Sequence, residues 1–205
     1  MIRSFRYTIN LILLGLPVFS PAQFLTVEDI ETGRNSYLSP GTLPNLQWRP
    51  STNDIVYTEG NALFALPANT PEEYPLLMLQ DVNTQLSLSG QAALKSFPDI
   101  DFLSEKEVYY RQNDGLVIID LNTSEITHIS LKKEVTNITV NDTAGIMAFT
   151  LGQNIYVIDN SHLPHRITND SVEGIVNGDV VYRQEFGYSG GMFWSPGGNY
   201  LAFYH

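Results

Sequence analysis

Two adjoining stretches near the end of the chain hold residue types that could do chemistry. Tyr182, Arg183, Gln184, Glu185 and Phe186 form a dense block of charge and aromatics, and Gly187-Tyr188-Ser189-Gly190-Gly191 follows with the spacing of a nucleophile elbow. An elbow of this kind presents its serine for acyl transfer only when an apolar strand precedes it and a helix follows. Here Tyr182-Arg183-Gln184-Glu185 precedes, and an apolar strand, Met192-Phe193-Trp194, follows. His205 is the only base downstream of Ser189 and no acid lies between them, whereas the hydrolase order is Ser, then Asp or Glu, then His. We therefore expect no nucleophile at Ser189 and no catalytic residue in these 205 residues. By residue type alone, Arg183 and Glu185 also fit a solvated surface pair.

Metal chemistry fares no better. His162-Leu163-Pro164-His165 has H-x-x-H spacing, but Pro164 disfavours the helix that would put both rings on one side, and there is no cysteine to complete a site. Asp99-Ile100-Asp101 lacks the wider spacing of a Ca²⁺ loop, and Asn113-Asp114-Gly115 is a standard turn. No metal and no cofactor is expected.

The elements that must position the charged block are strands. Met192-Phe193-Trp194, the turn Ser195-Pro196-Gly197-Gly198-Asn199 and Tyr200-Leu201-Ala202-Phe203-Tyr204 read as a hairpin, with proline supplying a fixed φ and glycine a permissive one. The unit has three earlier counterparts. Trp194 to Phe203, Trp48 to Tyr57 and Val140 to Phe149 each span nine residues, and Phe102 to Tyr110 spans one fewer. After the first three copies come a polar Gly/Asn turn and a further apolar run: Ala62 to Leu66, Leu116 to Asp120 and Ile155 to Asp159. Near-continuous apolar runs imply strands covered on both faces. Taking Tyr57, Tyr110, Phe149 and Phe203 as equivalent, the intervals are 53, 39 and 54 residues, around the roughly 40 to 50 of propeller blades. The expected fold is all-β, an incomplete β-propeller of about four blades, with a flat β-sandwich as the alternative. Pro67 to Gly90 and Ser171 to Gly191 read as insertions that decorate the repeat without disturbing it. The fourth copy stops in mid-pattern, so we expect a fragment.

Composition narrows the partners. The chain is 43% hydrophobic and carries 22 acidic against 11 basic residues, a net charge of −11, which sets nucleic acid aside. Arg3 and Arg6, the apolar run Ile9 to Phe19 and the small residues Ser20-Pro21-Ala22 fit a cleaved signal peptide. The run is about half of the ~20 residues a spanning helix needs, which disfavours a membrane anchor. We expect residues 1–22 to be a signal peptide, residues 23–205 the propeller portion, and the location periplasmic or extracellular. Zero cysteines rule out a disulfide scaffold and a thiol nucleophile.

The order Asp179-Val180-Val181-Tyr182-Arg183-Gln184-Glu185-Phe186-Gly187, a spacer, then Phe193-Trp194-Ser195-Pro196-Gly197-Gly198-Asn199-Tyr200-Leu201-Ala202-Phe203-Tyr204 resembles the propeller domain of dipeptidyl peptidase IV-type serine exopeptidases, especially exported bacterial ones. That family places a D-W-x-Y-E-E-E segment ahead of such a W-S-P-x-G strand. The resemblance implies that the segment's last two carboxylates hold the free α-ammonium of a peptide and so set where it is cut. By position Glu185 matches the final Glu, Gln184 the one before it and Arg183 the first. Gln184 departs from the pattern: an amide accepts a hydrogen bond but brings no charge, so either Glu185 alone anchors the amine or the cleavage register differs. Arg183 could instead pair with Glu185 and lower its availability.

The resemblance thus implies a non-catalytic, substrate-selecting portion of an exopeptidase releasing N-terminal di- or tripeptides after proline. Its partners would be a peptide with a free N-terminus, a C-terminal hydrolase domain and, as the oligomer to test for, a homodimer. The alternative is an exported propeller that binds or scaffolds without peptidase activity.

Overall fold

The computed structural model describes residues 42–112, 114–131, 135–180 and 190–205. The signal-peptide expectation and the whole charged block, Tyr182 to Phe186, therefore lie outside the described residues. What is described is three four-stranded antiparallel sheets and a hairpin. The first sheet holds β1 (Gln47–Trp48), β2 (Asp54–Glu59), β3 (Ala62–Pro67) and β4 (Tyr74–Met78), in that spatial order, and leads into the helix α1 (Leu79–Leu88). The second holds β5 (Asp101–Ser104), β6 (Glu107–Gln112), β7 (Gly115–Asp120) and β8 (Ile126–Ser130). The third holds β9 (Val135–Asn141), β10 (Ile146–Leu151), β11 (Asn154–Ile158) and β12 (Pro164–Arg166), and β13 (Met192–Trp194) pairs with β14 (Leu201–Phe203). Each sheet is a meander in chain order, the pattern of a propeller blade.

The repeated interval is the register of these blades. Trp48 faces Ile55, Val140 faces Met147 and Trp194 faces Leu201, all seven residues on. Phe102 faces Val108, six on, which accounts for the interval that is one shorter. Likewise Tyr57, Tyr110 and Phe149 face Phe64, Val117 and Tyr156 across the next ladder.

Alternation along the middle strands builds one core per blade gap. Val108 and Tyr110 of β6, with Val117 and Ile119 of β7, pack against Val56, Leu63, Ala65 and Leu77 of the first blade. The intervening Tyr109, Leu116 and Ile118 face the third blade, meeting Met147, Phe149 and Ile158. Ala148 and Ile155 then face Met192, with Trp194 and Leu201 partly buried around them. A strand with both faces covered has no polar side to show, so its sequence is an unbroken apolar run. The units are successive blades of an incomplete β-propeller.

One expectation needs correction. Pro67 to Gly90 is not a decoration outside the repeat: Pro67 ends β3, Tyr74–Met78 is the outer strand of the first blade, and α1 enters its core. Val82 and Leu86 of α1 are fully buried there. Two prolines sit in outer edge strands, Pro75 in β4 and Pro164 in β12, where a missing N–H is best tolerated, and Pro67 is the last residue of the inner strand β3.

Candidate functional site

The first strand of each blade is a sheet edge, and these edges converge: β9 lies against both β5 and β13. Pairing across β5 and β6 sets Asp101 opposite Tyr109, and Arg111 is two residues further along the same face. On β9, Ile138 and Val140 share a face that points back towards the second blade. These residues, with Gln47, Trp48 and Pro50 from the first blade, Phe102 from β5 and Asp142 from the third blade, line a cavity of about 380 Å³. The side chain of Gln47 holds the first blade to the second by donating to the Ile100 carbonyl at 2.8 Å, and Arg49 Nε does the same to the Glu105 carbonyl at 3.1 Å.

The electrostatics of this cavity favour binding over bond chemistry. Burial pushes the Tyr109 phenol up, and the charge of Asp101 and its hydrogen bond push the same way, with Arg111 opposing. Tyr109 is thus a neutral donor at physiological pH. Among the described residues, no serine, cysteine or histidine is in the lining to form a nucleophile and base. Among the described residues, no three acidic, histidine or cysteine side chains come together as a metal site.

Arg183, Gln184 and Glu185 lie outside the described residues, as does Ser189. Their flanks are described, and they are tied together. The N–H of Gly178 donates to the Tyr204 carbonyl at 2.8 Å, and the N–H of Tyr204 donates to the Gly191 carbonyl at 3.0 Å. A Cβ on Gly191 would overlap the Gly178 carbonyl. Asn177, fully buried, donates its amide to the Gln153 carbonyl at 3.0 Å and to Asp170 Oδ2 at 2.9 Å, and its Oδ1 lies 2.8 Å from His205 Nδ1. The described residues on either side of 181–189 therefore meet at one hydrogen-bonded junction between the third blade and β14.

The other sequence candidates are placed separately. His162 Nε2 pairs with Glu107 Oε1 at 2.8 Å, bridging the third blade to the second, while His165 is exposed on β12. His205 serves the Asn177 junction. In Asp99-Ile100-Asp101, Ile100 is core and Asp101 lines the cavity. A Cβ at Gly115 would run into the Ile129 carbonyl of β8, so that glycine is required for strand approach. The cavity as a site was not visible in the sequence, because its lining comes from three blades. The signal that could have found it is the blade alignment itself, which puts Trp48, Phe102 and Val140 at equivalent positions on the inner strands.

Residues 100–205 match the family model for the dipeptidyl peptidase IV N-terminal region. Among solved structures, the chain is similar to a protein from Bacteroides ovatus provisionally named a dipeptidyl aminopeptidase IV, at 26% identity and a TM-score of 0.63, over 82% of this chain and 23% of that one. It is similar in fold to dipeptidyl peptidase 4 of Porphyromonas gingivalis, at 15% identity and a TM-score of 0.62, over 87% of this chain and 27% of that one. The chain thus spans about a quarter of the length of either structure.

Proposed function

Because the chain belongs to the family of dipeptidyl peptidase IV N-terminal regions, we propose that it is the substrate-selecting propeller portion of an exported serine exopeptidase that removes N-terminal di- or tripeptides after proline. The observation that carries this reading is the segment Asp179 to Gly187 ahead of Trp194-Ser195-Pro196, both inside the residues that match the family.

On this reading the chain does no bond chemistry. Glu185 holds the α-ammonium of the substrate, a charge-assisted contact that a blocked N-terminus cannot make. Gln184 adds an uncharged acceptor, and Arg183 modulates Glu185 by pairing with it. The junction at Asn177, Gly178 and Gly191 ties together the described residues on either side of that segment. A C-terminal hydrolase domain supplies serine, acid and histidine, and the residues before the propeller direct export.

The test is a peptidase assay on the full-length product of this locus, with X-Pro and X-Y-Pro chromogenic substrates bearing free or acetylated N-termini, alongside Glu185→Gln. We expect release from free N-termini only, with the variant losing affinity chiefly through KM. The substrate length preferred sets the register that Gln184 leaves open. No release from any substrate would return the protein to a binding module.

A further inference from the structure

The inner cavity of the first three blades carries chemistry that recognition of an N-terminus does not use. Asp101 and Asp142 reach it from different blades, and both residues are exposed. Among the described residues, neither belongs to a salt bridge. Among the described residues of the lining, Arg111 is the one guanidinium, so two carboxylates stand beside one positive charge. Trp48 is 64% exposed, a large apolar side chain lying open where three blades meet. An indole face attracts a cation, most strongly when water is partly excluded. Ile138 and Val140 add an apolar wall along which an aliphatic stem can lie.

We propose that this cavity is a binding subsite for a basic side chain, arginine or lysine, of a peptide. The stem lies along Ile138 and Val140, the cation lies with Asp101 and Asp142, and Trp48 covers it. Among the described lining residues an anionic group would meet a single cation, Arg111, and would be opposed by both carboxylates and by a chain of net charge −11. The volume of about 380 Å³ is near the lower end of the roughly 300–1,000 Å³ of small-ligand sites, and it suits one side chain more than an extended peptide. The inference deepens the peptide-selecting role proposed above, and it rests on that role only for the source of the ligand.

The probe that tests it is N-acetyl-L-arginine amide, titrated into the full-length protein by ligand-observed NMR. Its α-amine is blocked, so it lacks the ammonium assigned to Glu185, and the Glu185→Gln variant reports whether its guanidinium binds there instead. We expect saturable, salt-sensitive binding that is unchanged in Glu185→Gln and weakened about fivefold to tenfold in Asp142→Asn. Trp48→Leu, a second variant at an exposed position, should weaken it as well, with thermal melts verifying that both variants fold. Equal binding of N-acetyl-L-citrulline amide, stronger binding of N-acetyl-L-glutamate amide, indifference to both variants, or no binding would each overturn the proposal. None of these outcomes bears on the Glu185 assay, which reads the free ammonium.

Discussion

Asn141 at the end of β9 donates its side-chain amide to the Ser195 carbonyl in the turn of the next blade, at 2.9 Å, and to the Pro196 carbonyl at 3.2 Å. Its Oδ1 accepts the N–H of Ala144 at 2.9 Å, and nearby Trp194 Nε1 donates to the Thr139 carbonyl at 3.2 Å. One nearly buried asparagine thus joins the third blade to the Trp-Ser-Pro turn of the fourth. Asn141→Ala strips these backbone groups of partners and should cost about 1–3 kcal/mol. Asn141→Asp, which lacks the donors, should fare no better. Urea denaturation of the full-length protein measures both.

Gly198 makes the same contact sterically. It has φ +71°, and an added Cβ would lie 2.6 Å from Ala144 Cβ and 2.8 Å from Ile146 Cδ1. Gly60 has φ +56° and open space around it. Gly60→Ala should therefore cost about 1 kcal/mol for backbone conformation alone, and Gly198→Ala clearly more. Equal melting temperatures for the two variants would argue against blade contact at Gly198.

Leu86 and Leu88 separate the two faces of α1. Leu86 is fully buried among residues of the first two blades, while Leu88 is 77% exposed. Leu86→Ala should destabilise by about 2–5 kcal/mol through the lost burial and the cavity left behind. Leu88→Ala should stay within about 0.5 kcal/mol.

Asp120 ties the turn after β7. Burial acts to raise its pKa, but the N–H groups of Thr123 and Asn122, the Thr123 hydroxyl and the charge of Lys106 outweigh it and hold the carboxyl below its ordinary value. A carboxylate with a depressed folded pKa adds stability that is present above the unfolded value, about 3.9, and is lost as pH falls through the folded one. The wild type should melt above Asp120→Asn at neutral pH, and the gap should close below about pH 4. A gap independent of pH would remove the charge from the account.

The fourth unit shows a broad apolar surface in residues 42–205. Phe193, Tyr200 and Tyr204 are each more than half exposed, and Phe203 is 36% exposed. A protein made of residues 23–205 alone should therefore self-associate through this face and through the edge of β14 that no described strand pairs with. Light scattering that returned a sharp monomer, with a cooperative melt, would contradict this.

The repeat was legible because strand pairing across a fixed turn length is a local matter: Trp48, Val140 and Trp194 each find a partner seven residues on, and the spacing of apolar residues records it. The helix α1 was not legible. Leu-Gln-Asp-Val-Asn-Thr-Gln-Leu-Ser-Leu carries several weak helix formers, its N-cap Met78 makes no side-chain bond, and only Leu79, Val82 and Leu86 face inward. Tertiary burial, not propensity, stabilises it.

The site divides the same way. Glu185, Gln184 and Arg183 stand in a contiguous motif, so residue order alone was enough to name them as candidates, and they lie outside the described residues. Trp48, Asp101, Arg111 and Asp142 lie more than ninety residues apart at their extremes and share no motif. Sequence by itself determined the blades, because their ladders close within a few residues. Only the tertiary structure decided which inner-strand side chains meet, because blade-to-blade packing brings distant residues to one cavity and local order carries no trace of it.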